Sequence, residues 1–187
     1  MDPLDFLLSR RSRPARTLGR PVPGRAEVER LLVAAARVPD HGKLEPWRFV
    51  VLTRGALDRL AGLVGARGAA LGLDAERVAK AVAQYGQADL AVVVVQVPRP
   101  TEKVPLIEQT YSAGAVCLQL LNAATAAGWG ANWLSGWPAY DEAVRREGFG
   151  LAPGETVAGV IHVGTPTGEA PDRPRPDVPG LTTWVEA

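Results

Sequence analysis

The chain has 187 residues and a formal net charge of +1, with 21 basic and 20 acidic side chains. This length suits a single domain over residues 1–187, and the near-neutral charge argues against a general attraction to nucleic acid or to anionic membrane. The single cysteine, Cys117, excludes an intramolecular disulfide and a cysteine-built zinc site, and the two distant histidines leave little material for a metal site.

The chain opens with a short helix, predicted over residues 2–9. Asp2 can cap this helix, Pro3 suits its first turn, and three leucines give it an apolar face. Acidic residues precede the short apolar run, which is not the pattern of a signal peptide, so the sequence predicts a cytoplasmic protein.

A basic run follows this helix, with six arginines and no acid between residues 10 and 25. They are Arg10, Arg11, Arg13, Arg16, Arg20 and Arg25. The run is open to two interpretations, a solvated basic turn and an anion site. Arginine presents a rigid fork of donors that matches phosphate oxygens, and Ser12 adds a hydroxyl donor. A nucleic-acid surface is less favoured, because the run lacks interleaved aromatic residues.

The next feature is a helix that ends in a polar loop. Residues 25–37 have apolar side chains at helical spacing, and Pro39 ends that helix. The loop carries His41 and Lys43 and leads into residues 47–52, whose aromatic and β-branched side chains predict a strand. This loop is either an ordinary connection or one wall of a binding site.

The middle of the chain alternates helices with one continuous apolar strand. Helices are predicted over residues 55–71 and 74–85, a central strand over 89–97, and a long alanine-rich helix over 104–127. No charged residue occurs from residue 109 to 140. Polar residues, glycines and a proline interrupt that stretch, so a membrane span is not favoured. We expect the long helix to be buried on most sides, within the fold or against a second copy of the chain.

The last third contains a tryptophan-rich turn and an extended tail. A strand-and-turn region is predicted over residues 129–137, a short helix over 139–147, and a strand over 157–163 that includes the structural histidine His162. Prolines and glycines then keep the tail extended. A final apolar segment, residues 181–185, is prone to form a strand, and such an arm can reach the sheet edge of another subunit.

The familiar catalytic motifs are absent from the sequence. No serine lies in a G-x-S-x-G elbow, and neither a G-x-x-x-x-G-K-[ST] loop nor a strand followed by G-x-G-x-x-G occurs, so a hydrolase triad, an ATPase and a Rossmann site are not supported. What remains is arginine in three separated places, together with a polar loop and an uncharged, tryptophan-rich turn. These surfaces suit a ligand with a phosphate at one end and a flat apolar body at the other. Flavin mononucleotide (FMN) is such a ligand, although composition alone does not select it over other nucleotides.

Four motifs in order along the chain resemble the nitroreductase family. They are RRS at residues 10–12, PDHGKLEPWRF from residue 39, ANWLSG from residue 131, and GTP from residue 164 followed by RPRP. Within that family the chain looks most like the short, single-domain NAD(P)H nitroreductases that carry a PDH loop. The resemblance implies an α+β fold with a central mixed β-sheet wrapped by helices. It also implies a homodimer with one FMN at each of two subunit interfaces and a C-terminal segment that extends to the partner subunit.

The resemblance also implies which residues bind the cofactor. By motif, Arg10, Arg11 and Ser12 would hold the FMN phosphate and ribityl chain, and Arg173 and Arg175 would close on the phosphate. The remaining matched positions would contact or face the flavin, and they are Arg37, His41, Trp133, Leu134, Ser135 and Gly136. The segment from residue 123 to 128 matches a region assigned to the nicotinamide nucleotide.

One departure concerns the charge near the flavin ring. Many members of the family have a second basic residue at the position that Pro14 occupies here, and Arg13 or Arg16 can substitute for it. Positive charge near N1 and the C2 carbonyl stabilises a reduced, anionic flavin, and Lys43 or Arg13 could supply that charge.

The resemblance predicts an FMN-dependent oxidoreductase that takes electrons from NAD(P)H by ping-pong hydride transfer. Nitroaromatics, quinones and similar small molecules would be its electron acceptors, and no side chain need act as acid or base. The alternative is a protein that binds flavin or another phosphorylated ligand without redox turnover.

Overall fold

A computed structural model of the chain describes residues 2–170 and 172–186. The helices are α1 (Pro3–Ser9), α2 (Arg25–Ala35), α3 (Arg54–Ala70), α4 (Ala75–Gly86), α5 (Leu106–Ala126) and α6 (Trp137–Tyr140). The strands are β1 (Leu18–Gly19), β2 (Trp47–Thr53), β3 (Leu90–Gln96), β4 (Gly130–Leu134) and β5 (Thr156–Pro166). The predicted α+β class is confirmed, and the strands form one sheet with helices packed against it.

The sheet is antiparallel rather than mixed, so that detail of the prediction was wrong. β5 pairs with β1, β3 and β4, β3 pairs with β2, and all four pairings are antiparallel. Two helices, α3 and α4, connect β2 to β3, and these neighbouring strands are antiparallel. β3 and β4 are joined by α5 and run in the same direction, but β5 lies between them and runs opposite to both.

β3 is the central strand that the sequence predicted, and it separates two hydrophobic cores. Its side chains alternate between the two faces of the sheet. Ala91, Val93 and Val95 pack in the core under α3 and α4, whereas Val92 and Val94 pack in the core under α2 and α5. Every residue of β3 is buried, as expected for a strand covered on both faces.

Several predicted helix boundaries are confirmed to within two residues. The Asp2 carboxylate caps α1 by accepting from the Leu4 backbone N–H at 2.9 Å, and Asp74 caps α4 by accepting from Arg77 N–H at 3.0 Å. Short polar side chains before a helix satisfy backbone donors that have no partner inside it. The first residue of each of these helices is therefore set by a capping side chain that can be recognised in the sequence.

The helix predicted over residues 139–147 was wrong as a single element. α6 ends at Tyr140, and a turn of π-helix follows at Val144–Gly148. Asp141 separates the two, because its carboxylate accepts from the Val144 backbone N–H at 2.9 Å and pairs with Arg67 at 2.8 Å. An acidic residue that caps a new turn and also binds another helix breaks the regular ladder.

The segment of residues 181–185 was expected to form a strand against another subunit, and in a single chain it is not a strand. A short 3-10 turn at Pro179–Leu181 is followed by residues without regular structure. Trp184 and Val185 are 83% and 93% exposed. A strand needs a neighbouring strand to pair with, and within the described residues this segment pairs with none. Within the described residues, no helix has the length and apolar character to cross a membrane.

Candidate functional site

The first part of the candidate site is a cleft where both ends of the chain meet. The residues after α1 run extended, and the tail returns beside them. Together they enclose a cleft of about 110 Å³ that is lined by Arg10, Arg11, Ser12, Arg173 and Arg175. These are the five residues that the RRS and tail motifs singled out, and tertiary structure joins them across about 160 positions of sequence.

The charge in this cleft is unbalanced in a way that favours an anion. Arg10 is half-buried, and its Nη1 is buried without a hydrogen-bond partner among the described residues. Burial and then the nearby charge of Arg175 lower the pKa of Arg10. A guanidinium remains charged in proteins and cannot escape by losing its proton. The phosphate of a mononucleotide would supply the missing acceptor, so these residues fit an FMN phosphate.

Two arginines of the basic run hold the start of the tail. Arg11 donates to the Ala170 carbonyl at 3.4 Å and pairs with the Asp172 carboxylate at 3.2 Å, and Arg13 donates to the Gly168 carbonyl. The sequence suggested Arg13 as a source of charge near the flavin. In the structure its guanidinium binds the backbone at the base of the tail.

The tryptophan-rich turn follows β4, which lies against the basic run. Arg13 N–H donates to the Ala131 carbonyl at 3.0 Å, and the Asn132 amide donates to the Arg13 carbonyl at 2.5 Å. Trp133 is 39% exposed, and its ring lies over Gly159 of β5. A Cβ at that glycine would come within 2.2 Å of Trp133 Nε1, so a larger residue there would displace the ring.

The other predicted residues of this turn lie outside the arginine cleft. Leu134 is half-buried at the end of β4, opposite Val160. Ser135 and Gly136 line a separate open groove, of about 480 Å³, against the connection between α3 and α4. The predicted nicotinamide segment lines a third groove, of about 430 Å³, between α5 and α2.

The polar loop between α2 and β2 forms the second part of the candidate site. Arg37, His41 and Lys43 are all exposed, and none of them lines the arginine cleft. His41 Nδ1 lies 2.6 Å from Oε2 of Glu108, which is in the first turn of α5. Sequence reasoning missed Glu108, because an acid at the start of a helix is explained by the helix dipole alone.

The two parts of the site lie at opposite ends of α5. The loop contacts Glu108, whereas Arg10 and Arg11 share a groove with Thr125. These two α5 residues are 17 positions apart (125 − 108), which is about 25 Å along a helix axis. The loop and the basic run therefore contact α5 near its opposite ends.

Metal chemistry has little support in the described ranges, 2–170 and 172–186. No group of three or more histidine, cysteine or carboxylate side chains there is placed to hold a metal ion. His162 is buried with neither ring nitrogen hydrogen-bonded, and burial lowers its pKa to about 4. It lies against Tyr85 in the core, as expected for a structural residue.

Comparison with protein families gives a match to the nitroreductase family over residues 7–165. The chain is 34% identical over 166 residues to a protein of Escherichia coli (strain K12) named "Putative NAD(P)H nitroreductase YdjA", and covers 89% of both chains. It is 36% identical over 167 residues to a "Putative NAD(P)H nitroreductase" of Haemophilus influenzae, covering 88% of this chain and 89% of that one.

Solved structures share the fold over the whole chain. A nitroreductase-like family protein from Bacillus cereus superimposes with a TM-score of 0.79 at 22% identity, covering 100% of this chain and 97% of the other. A nitroreductase from Bacteroides fragilis, solved with bound FMN, gives a TM-score of 0.76 at 21% identity and covers 100% of both chains.

Proposed function

The chain belongs to the nitroreductase family, and from this premise we propose that it is an FMN-dependent NAD(P)H oxidoreductase that reduces small electron acceptors. The observation that carries the proposal is the arginine cleft, where Arg10 Nη1 is buried without a partner. Nitroaromatics and quinones are the acceptor classes that we expect. The FMN, when bound, supplies the hydride chemistry, and ping-pong turnover follows if donor and acceptor use the same face in succession.

The residues of this chain would bind and orient the cofactor rather than move protons. Arg10, Arg11 and Ser12 would hold its phosphate, with Arg173 and Arg175 closing the cleft. Arginine forks bind phosphate oxygens in pairs, which fixes both position and direction. The partly exposed Trp133 and the turn through Gly136 would then support the apolar ring system.

We also propose that the protein is a homodimer in which each FMN is shared between subunits. The separation of about 25 Å along α5 supports this, because a cofactor held in the arginine cleft would meet Arg37, His41 and Lys43 more readily if the other subunit supplied them. Exposed apolar side chains of α5 supply a surface for such a contact, among them Ile107, Tyr111 and Leu118. Within the described residues β2 pairs on one side only, so its free edge could accept the tail of a partner.

We also propose a cytoplasmic location, since a NAD(P)H donor is available there. We also propose that residues 1–187 form one domain, because the two hydrophobic cores pack on opposite faces of a single sheet.

The enzymatic proposal is tested with the purified protein. We expect flavin absorbance in the visible range, and anaerobic addition of NADH or NADPH should bleach it. A bound flavin that neither nucleotide bleaches would favour the alternative, a flavin-binding protein without turnover. A protein that binds no flavin but binds inorganic phosphate in the cleft would favour a different phosphorylated ligand.

The shared site is tested by complementation between two variants. Arg10→Ala damages the cleft and His41→Ala damages the loop, so each homodimer should hold FMN weakly. A heterodimer of the two, isolated with two affinity tags after co-expression, has one site with both defects and one with neither. We expect it to regain one tight site, whereas two weakened sites, one for each defect, would contradict the shared arrangement.

A further inference from the structure

The loop that carries His41 is braced at both ends by α5. Ser112 Oγ donates to the Pro39 carbonyl at 2.8 Å and accepts from Trp47 Nε1 at 3.2 Å. At the far end of the loop, the Arg99 guanidinium donates to the Glu45 carbonyl at 3.2 Å. Because Ser112 is buried, the two ends of the loop are held against the helix with little freedom.

The inside of the loop is held in an unusual backbone conformation. Gly42, Lys43 and Glu45 have φ angles of 74°, 52° and 47°. Residues other than glycine reach this left-handed region at a cost of about 1 kcal/mol each. The Asp40 carboxylate offsets this by accepting from the backbone N–H groups of Leu44 at 3.2 Å and Glu45 at 2.8 Å.

None of these braces involves Glu108, whose carboxylate instead meets the imidazole of His41. Oε2 of Glu108 lies 2.6 Å from Nδ1, and the two side chains are 43% and 60% exposed. An exposed pair of this kind contributes little to the stability of a fold. The contact has a clear consequence for the ring, however. A carboxylate can only accept a hydrogen bond, so Nδ1 must carry the proton and Nε2 is left for a ligand.

We propose that Glu108 is a positioning residue that fixes the orientation and tautomer of His41, so that Nε2 is the nitrogen presented to the flavin. This inference rests on the proposed function for the identity of the ligand. It extends that function because neither the motifs nor the family match assigned a role to Glu108. Metal-binding and catalytic histidines are oriented in the same way, by a second group that holds the other ring nitrogen.

The first test needs no flavin. With two histidines in the chain, long-range ¹H–¹⁵N spectra of the apoprotein contain two imidazole patterns, and a His41→Gln variant assigns them. We expect the neutral His41 ring to be protonated at Nδ1 in the wild type. Glu108→Gln should shift it towards the Nε2-protonated form that free imidazoles favour. A wild-type ring already protonated at Nε2, or one unchanged in Glu108→Gln, would overturn the proposal.

The second test is a double-mutant cycle on FMN affinity. Loss of one hydrogen bond to a charged group predicts that Glu108→Gln weakens binding by about tenfold. In a His41→Gln background the same change should have no further effect. The control is Glu102→Gln, which removes an equal charge from an exposed residue shortly before α5 and should leave affinity unchanged.

The outcomes separate this inference from the proposed function. An effect of Glu108→Gln that persists without His41 would mean that Glu108 acts on the ligand or on the fold directly, which contradicts a positioning role. Equal losses in Glu108→Gln and Glu102→Gln would mean that only net charge matters. If the wild type binds no flavin, the proposed function fails, and with it the ligand assigned to Nε2. The spectra still decide whether Glu108 sets the tautomer.

Discussion

Arg10 and His162 are two of the described residues whose buried side-chain nitrogens lack hydrogen-bond partners, and they lie in different surroundings. Arg10 Nη1 is buried at the side of a cleft that also holds other arginines. Both ring nitrogens of His162 are buried in the core beneath α3 and α4, beside Tyr85. Burial lowers the pKa of both groups, yet only one of them can respond by losing its charge near neutral pH.

Whether a buried group can lose its charge decides whether it marks a binding site. His162 can be neutral at pH 7, so the core tolerates it without any partner of opposite charge. Arg10 stays cationic and is repelled by Arg175, so the cleft is stabilised only when an anion enters. The unpartnered nitrogen of Arg10 beside Arg175 therefore predicts an anionic ligand, whereas the unpartnered imidazole of His162 predicts only a sensitivity to acid.

The largest expected effect is acid destabilisation through His162. Its folded-state pKa of about 4 lies below the ordinary value of 6.5, so the unfolded chain binds the proton first. Stability is then unaffected above pH 6.5, falls as the pH drops towards 4, and loses about 3 kcal/mol in total. Urea unfolding at pH 7, 6 and 5 measures this slope.

The matched variants are the two histidine replacements. His162→Gln cannot gain a charge, so its stability should change less between pH 7 and 5 than that of the wild type, whatever its stability at pH 7. His41→Gln removes the exposed histidine and should keep the wild-type slope. Equal slopes in wild type and His162→Gln would contradict the assignment.

Next in size is the loss of phosphate affinity in Arg10→Ala. A charge-assisted hydrogen bond contributes about 2 kcal/mol, so FMN should bind about thirtyfold more weakly. The apoprotein should not lose stability, because the substitution removes a repelled cation. Flavin fluorescence titration and thermal unfolding measure the two quantities. Arg59→Ala, on the outer face of α3, is the control, and an equal loss of affinity there would break the comparison.

The tail arginines should have a smaller effect. Arg173 and Arg175 are exposed, so screening by water reduces each contribution, and we expect each alanine variant to weaken FMN binding by about fivefold. The loss should shrink as salt is added. Isothermal titration at two ionic strengths tests this, and an effect independent of salt would point to lost packing instead of lost charge.

The smallest effect on chemistry is expected at His41. His41→Ala should weaken FMN retention more than it slows reduction of the refilled enzyme by NAD(P)H, because the loop is proposed to position the flavin. Stopped-flow reduction at saturating FMN, beside the dissociation constant, separates the two. Slow reduction with normal retention would assign the loop to the chemistry.

Much of the fold followed from local patterns in the sequence. The caps at Asp2 and Asp74 and the apolar run of β3 predicted their elements to within two residues. Prediction failed where a distant contact decided the outcome. Arg67 binds Asp141 and divides the expected helix.

Part of the candidate site was likewise predicted from the sequence, and part of it was decided by tertiary structure. Residue types alone indicated arginines suited to a phosphate, and motif order predicted the family. Only tertiary structure placed Arg10 beside Arg175, because contacts between the two ends of a chain leave no periodicity in the sequence. It also placed Glu108 on His41, and it set the contacts of the loop and of the basic run about 25 Å apart along α5. The sequence by itself determined which groups could bind an anion and a flat ring, since those are properties of side chains. Distance and burial are fixed only when the chain folds. They decided which groups lie together in one subunit and which groups would need a second subunit to meet.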